Sequence, residues 1–323
     1  MAETVRAERT RQASVPALAA YLVAVLPPLF WSGNFLVARL MRGEIPPIQM
    51  SFWRWLLALA ILLPFIVAPV RRDWSRIRSQ LAFLALLGAI GVTAFNCFVY
   101  VALHYTTVVN AALVNSLLPV VTIAIARVLL GQLVTSRRAL GILMSLAGAA
   151  LVIARGDPSA LARLTIGRGE VLVFAGMSFW ALYTVLIRWR PPGLKPLSLL
   201  GSTTAFGVLF HLPFMLFEVN TVGAFVPTSS TLPALIYFAI FPSILAYIFW
   251  NRSVAVLGPA TTGMFMHFLP LFSAGLASVF LGETLAWYHP LAFVVIVAGV
   301  TLVTTQASPR SGERQRAEIG SRS

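Results

Sequence analysis

The chain has 323 residues, 59% of them hydrophobic and only 11% charged, with a formal net charge of +14. Soluble domains carry about 25% charged residues, so the composition excludes an ordinary water-soluble fold. The basic excess does not mark a nucleic-acid binder, because it lies in short loops and tails between apolar runs, and the lone Cys97, inside an apolar run, excludes a disulfide framework.

Arg6, Arg9 and Arg11 precede an apolar run that starts near Val15. The run continues well past a signal-peptide core and has no clear small-x-small cleavage site, so it reads as an uncleaved first span. A helix needs ~20 apolar residues to cross the hydrocarbon core. Ten runs qualify: 17–39, 48–69, 80–101, 108–130, 138–155, 169–189, 196–217, 231–250, 260–281 and 287–306. They are too long, and too weakly alternating, for spanning strands. The expected organisation is an N-terminal tail 1–16, a five-helix repeat 17–155, an outer linker 156–168, a second five-helix repeat 169–306 and a disordered tail 307–323.

The two halves match. Trp31 recurs as Trp180 and Leu63-Pro64-Phe65 as Leu212-Pro213-Phe214, both at an offset of 149. Leu118-Pro119 recurs as Leu269-Pro270, Leu130-Gly131 as Leu281-Gly282 and Ala147-Gly148 as Ala298-Gly299, all at 151. The change of offset implies a two-residue insertion in a loop of the second half. With the N-terminus in the cytoplasm, 17 basic residues fall on inner segments against 5 on outer loops. That asymmetry puts both termini inside. Each half then has an odd number of spans, so the second copy enters the bilayer upside down, the arrangement that lets one cavity open to either side in turn. The expected fold class is an all-α integral membrane protein of ten transmembrane helices in two inverted five-helix repeats.

The segments FWSGNFLVAR, SFWRWLLALAI (51–61), NAALVNSLLPVVTIAIARVLLGQ (110–132) and LGILMSLAGAALVI (140–153) resemble the EamA half of the drug/metabolite transporter superfamily. FLPLFSAGLASVFLGETL (268–285) and PLAFVVIVAGVTLV (290–303) resemble its second copy. The resemblance implies ten helices, cytoplasmic termini and export of amino acids or other small metabolites. Its aromatic-rich spans are similar to the branch exporting aromatic amino acids. Where the family commonly has Gly-Glu after the fourth span, this chain has Gly131-Gln132, while Gly282-Glu283 keeps the pair.

None of the ten acidic residues falls near the middle of a span as drawn. A carboxylate at depth is the usual proton relay, so its lack favours facilitated transport, with His267 as the remaining protonatable group. Arg54 lies well within the second span. It either snorkels outward, pairing with Glu44, or faces the cavity and holds a substrate carboxylate. Trp31 and Asn34 share a helix face and correspond to Trp180 and Tyr183, and Asn96 and Tyr100 correspond to Tyr247 and Asn251. A chamber lined by such residues suits a neutral zwitterion with an apolar or aromatic side chain. The competing readings are interface belts for Trp and Tyr and interhelical glue for Asn.

Asn115 near Pro119 and His267 near Pro270 complete the candidate substrate-binding set, with Pro119 and Pro270 as hinges, since proline frees a backbone carbonyl. Asn110 is read as a helix cap. Gly141, Ser145, Gly148, Ala292 and Gly299 read as a close-packing seam, within the chain or between copies. No metal or cofactor is expected, and the expected partners are a small-molecule substrate and the lipid bilayer, with no nucleic acid and a monomeric protein. The chain has no P-loop, intramembrane Asp pair or His cluster for an enzyme. The expectation is a secondary exporter working by alternating access in the inner (plasma) membrane, and the alternative is multidrug or toxicant efflux on the same fold.

Overall fold

The computed structural model describes residues 17–41, 44–102, 104–106, 108–162 and 166–304. The expected tails 1–16 and 307–323 lie outside these residues. Among them the structure is helical, with no strand.

Ten membrane elements follow in order. They are α1 (Ala17–Leu40), α2 (Pro47–Arg72), α3 (Leu81–Ala102), α4 (Val108–Asn115, then Leu118–Leu130), α5 (Ser136–Ile153), α6 (Arg168–Trp189), α7 (Pro196–Val222), α8 (Thr231–Leu257), α9 (Pro259–Leu281) and α10 (Tyr288–Thr304). Eight of them, α2–α9, are long and apolar enough to cross a membrane, α10 is a shorter apolar helix, and α1 has 24 residues. Short helices Trp74–Ser79 and Ser159–Ala162 sit in connections.

The duplication visible as matched prolines and glycines extends to the irregularities of the helices. Residues 89–94 of α3 and 239–245 of α8 both form π-helical turns, at the 151-residue offset. The fourth element of each repeat is also broken. A turn at Ser116-Leu117 divides α4 before Pro119, and a 3-10 turn, Phe265–Phe268, divides α9 before Pro270. Both prolines occupy the first turn of the following segment, where no amide donor is needed. Both segments end on a left-handed glycine, Gly131 (φ 64°) and Gly282 (φ 68°).

The repeats pack crosswise. α6 lies on α3 and α4, and α1 lies reciprocally on α8 and α9. α2 pairs with α7, and α5 with α10. In the α5–α10 seam, a Cβ on Gly141 would come 2.6 Å from the Gly299 carbonyl, and one on Gly148 would come 3.1 Å from the Ala292 carbonyl. These contacts exchange under the 151-residue offset, since 141 maps to 292 and 148 to 299. Contacts of that form require two antiparallel helices about a local two-fold axis. The small-residue seam is therefore internal to the chain, and the two repeats are inverted.

α2 and α7 are tied at both ends by carboxylates. Beyond the end of α2, Asp73 accepts from the Lys195 amide at 3.0 Å and the Ser198 hydroxyl at 2.7 Å, satisfying the open amide end of α7. Near the other end of α7, Glu218 accepts from the Ile48 and Gln49 amides at 3.2 and 2.7 Å, satisfying the open end of α2. Gln49 completes the second clasp, donating to the Gly223 carbonyl at 2.9 Å and accepting from the Phe225 amide at 2.7 Å.

The Ser198 hydroxyl, with the Lys195 amide and Arg76, holds the Asp73 carboxyl below its ordinary value of 3.8 against the opposing effect of burial. The lowered value means that the stabilisation is complete above about pH 4 and is lost as the pH falls through it. The detergent-solubilised protein should therefore lose melting temperature on acidification below about pH 4. Asp73→Asn, already less stable at neutral pH, should show a smaller further loss. Thermal scans across pH check this, and identical acid profiles would remove Asp73 from the account.

Candidate functional site

At the centre of the bundle, four elements, α1, α2, α6 and α8, bring six aromatic side chains together. Trp31 of α1 meets Trp180 of α6 edge-on with ring centroids 5.3 Å apart, and meets Trp250 of α8 at 5.3 Å. Trp31 and Trp180 are equivalent positions of the two repeats, so their contact lies at the local two-fold axis. Tyr183 stacks on Trp180 at 5.1 Å, Tyr247 lies 5.0 Å from Trp180, and Trp55 of α2 meets Tyr247 edge-on at 4.8 Å. Such pairs each contribute ~0.5–1.5 kcal/mol beyond burial alone.

The π turns explain why these rings hold fixed positions. A π turn leaves a main-chain carbonyl without its usual α-helical partner. The Gly91 carbonyl accepts the Tyr247 hydroxyl at 2.6 Å, and the Pro242 carbonyl accepts the Trp31 indole N–H at 2.9 Å. Gly91 and Pro242 are themselves equivalent under the 151-residue offset. Gly91 also has to be small, because a Cβ there would overlap the Tyr183 ring. The polar ends of the remaining rings are mostly paired. The Tyr183 hydroxyl donates to Asn251 Oδ1 at 3.1 Å, and the Trp250 indole donates to Thr184 Oγ1 at 3.0 Å.

Beside this cluster sits a buried cation. Arg54 is 4% exposed. Its Nη2 donates to Asn96 Oδ1 at 2.7 Å and its Nη1 to the Tyr100 hydroxyl at 3.3 Å. Asn96 is oriented by its own Nδ2, which donates to the Val92 carbonyl at 2.5 Å in the π turn. The guanidinium carbon lies 5.4 Å from the centroid of the Trp55 ring. Both Arg54 partners are neutral, and Arg54 Nε has no hydrogen-bond partner. Glu44 is exposed, so the snorkelling pair with Arg54 is not formed. Nearby, His211 approaches Cys97 Sγ at 3.6 Å through Nε2, while its Nδ1 is buried and unpartnered.

Of the ten candidate binding residues, the structure brings Trp31, Arg54, Asn96, Tyr100, Trp180, Tyr183 and Tyr247 into this one region. Asn34 lies one turn beyond Trp31, half-buried, with its Oδ1 unpartnered. Asn115 and His267 belong to a second node, at the breaks of α4 and α9. His267 Nε2 pairs with the Ser116 carbonyl at 3.0 Å and Nδ1 with the Ser145 hydroxyl at 2.8 Å. Ser116 and His267 are again equivalent positions, 151 apart, so the two helix breaks are bonded to each other at the local axis. Pro119 and Pro270 flank this node.

Asn110 is not the cap expected of it. It lies within α4 and donates to Glu170 Oε1 at 3.0 Å, and Glu170 also accepts from Thr106 and from the Gly167 amide at 2.8 Å. A buried carboxylate at the start of α6 recruits the amide more strongly than a helix terminus facing water. Trp55, Trp250 and His211 join this region from outside the ten candidates. Only Trp55 carried a signal, being adjacent to Arg54 in SFWRW.

The sequence signature of the EamA-like transporter family matches residues 18–154 and again 167–305. The chain belongs to this family. It is 29% identical over 280 residues to the uncharacterized transporter YyaM of Bacillus subtilis, covering 87% of this chain and 92% of that one. It is also 29% identical over 300 residues to an uncharacterized transporter of Archaeoglobus fulgidus, covering 88% and 97%. A probable terminal-alkyne amino-acid exporter of Streptantibioticus cattleyicolor is 26% identical over 297 residues, covering 90% and 94%. A solved crystal structure superposes with a TM-score of 0.74 at 21% identity, covering 90% of this chain and 97% of that one, and shares the fold. The protein is thus a multi-pass membrane transporter, and the aromatic cluster with Arg54 lies inside the helical bundle of an EamA protein.

Tyr247→Phe removes the donor that satisfies the Gly91 carbonyl while keeping the ring. Leaving a buried acceptor unpaired costs about 1–3 kcal/mol. The variant should melt several degrees below the parent in the same detergent, and an unchanged melting temperature would mean that the π-turn carbonyl needs no partner.

Proposed function

We propose that this protein is a secondary transporter that exports amino acids, aromatic or other neutral ones, or related small metabolites, by alternating access. Its two repeats, 17–155 and 169–306, act as inverted halves, with both termini on the cytoplasmic face of the inner (plasma) membrane. The observation that carries the substrate reading is the buried Arg54, whose side-chain partners among the described residues are neutral, set against a cage of tryptophan and tyrosine. A carboxylate supplies the charge that Arg54 lacks, and an apolar or aromatic side chain stacks on the cage. The amino-acid exporter among the relatives supports the same class of cargo. No cofactor enters this scheme, and the gradient of the cargo itself drives the facilitated mode.

Multidrug efflux is the second reading. A hydrophobic cation, a common cargo of that kind, is disfavoured by the like charge of Arg54.

Reconstituted liposomes test the proposal directly. Labelled phenylalanine or tryptophan should show saturable, protein-dependent flux, and the absence of saturable flux for any amino acid or related carboxylate defeats the substrate reading. Trp31→Ala and Trp180→Ala should weaken apparent affinity by more than Trp74→Ala, since Trp74 is 53% exposed outside the bundle. Arg54→Ala should weaken carboxylate substrates by roughly 10–100-fold, the size of a hydrogen bond to a charged group. Equal effects in folded Trp variants, or undiminished flux in the Arg54 variant, count against this site.

A further inference from the structure

We propose that the Arg54 site selects organic anions of net charge −1, an aromatic or apolar acid whose neighbouring substituent is a neutral donor such as a hydroxyl, over zwitterionic amino acids of the same shape. This rests on the reading of Arg54 as the site of the substrate carboxylate and narrows the cargo within it.

The first argument is charge. Among the described residues the one ion pair joins Arg76 to Asp73, away from Arg54. The buried carboxylates accept from other groups: Asp73 from Lys195 and Ser198, Glu170 from Thr106 and Asn110, and Glu218 from the Ile48 and Gln49 amides, on the same helix as Arg54 but with no hydrogen bond to it. A zwitterion brings no net charge, so its ammonium offsets what its carboxylate offers Arg54 in a low-dielectric interior. A monoanion carries no such offset.

The second argument is the stock of unmatched donors and acceptors. Arg54 Nε and Trp55 Nε1 are both buried, both donors only, and both unpartnered. They are neighbours on α2, and the guanidinium lies against the Trp55 ring. Each is a donor that a carboxylate oxygen can satisfy. The unpartnered groups able to accept include Asn34 Oδ1, one turn from Trp31, Ser51 Oγ and His211 Nδ1; all are neutral, and Asn34 Oδ1 is a pure acceptor. It can take a single hydroxyl or amide proton. An ammonium group carries three donors and a charge, and no carboxylate stands ready for it.

The two cargo classes differ in the charge they move, which makes the proposal testable. Carrying a monoanion across the membrane is electrogenic, and carrying a zwitterion is not. Liposomes holding the full-length protein are loaded with labelled phenyllactate or phenylalanine, and a potassium gradient is clamped with valinomycin. Each tenfold potassium gradient should shift the final phenyllactate distribution about tenfold, with the anion leaving the negative side. Unlabelled phenyllactate should compete with the tracer about tenfold more strongly than phenylalanine does. Arg54→Lys keeps the charge and should keep the preference, whereas Arg54→Gln should abolish it. Trp55→Phe, which keeps the ring but loses the N–H, should weaken phenyllactate more than phenylalanine.

Saturable phenylalanine flux that matches or exceeds that of phenyllactate, with no response to potential, overturns the charge preference and leaves the carboxylate site standing. Absence of saturable flux for both compounds overturns the site reading and this proposal with it.

Discussion

Main-chain carbonyls inside a bilayer have no water to turn to, and leaving one unpaired costs several kcal/mol. The centre of this protein is arranged around two such groups. The π turns of α3 and α8 free the Gly91 and Pro242 carbonyls, and the chain answers them with Tyr247 and Trp31. Each donor comes from an element other than the one it satisfies or from the opposite repeat: Tyr247 belongs to α8 and reaches α3, while Trp31 belongs to α1 and reaches α8. The bonds therefore do two things at once. They satisfy the irregular backbone, and they lock the orientation of two rings against which Trp180, Tyr183, Trp55 and Trp250 pack. The same π turn fixes Asn96 through the Val92 carbonyl, and Asn96 in turn fixes Arg54. A defect in helix geometry, repeated in both halves, is what positions both the aromatic and the cationic parts of the site.

Arg54 then stands out as a cost that the fold does not recover internally. A buried guanidinium held by an amide and a phenol is hydrogen-bonded but not neutralised. Elsewhere the chain shows that it can answer buried charge fully: Asp73, Glu170 and Glu218 each have two or more donors. The contrast between three satisfied carboxylates at the ends of helices and one unsatisfied cation at their centre separates residues that hold the bundle from one that awaits a partner.

Much of the architecture was legible in the sequence because membrane insertion depends on long apolar runs, and because prolines and glycines that interrupt helices leave a visible mark. Pro119 and Pro270, or Gly131 and Gly282, announce matching breaks and ends at a fixed offset. The π turns were not legible. Pro242 has Gly91 as its counterpart, and neither residue type by itself specifies a π turn. Glu218 falls beyond the apolar run 196–217 because α7 continues to Val222, past the drop in hydropathy, to reach the amides of α2. Asn110 was misread because its partner, Glu170, lies 60 residues away. Which polar atoms remain unpartnered, such as Trp55 Nε1 and Arg54 Nε, depends on all neighbours together and has no one-dimensional signature.

The distribution of hydrogen bonds also bears on which parts can move in the proposed cycle. α2 and α7 are clasped at both ends by carboxylates and joined along their length, and α5 and α10 approach so closely at Gly141 and Gly299 that a side chain on either would collide with backbone. Separating α2 from α7 exposes the amides that Asp73 and Glu218 satisfy, and separating α5 from α10 opens a close-packed seam. α1 and α6 are different: they meet through the Trp31–Trp180 contact, with Trp31 bonded to a π turn. Edge-on aromatic contacts are weak individually and tolerate rotation. α4 and α9 are already broken, and His267 links their breaks through the Ser116 carbonyl while also reaching Ser145 of α5. Opening to one face, on this view, rearranges α1, α6 and the segments of α4 and α9 around two clasped pairs. That places Arg54, carried on α2, on the stationary part, so that the cargo is held still while the walls on either side of it exchange.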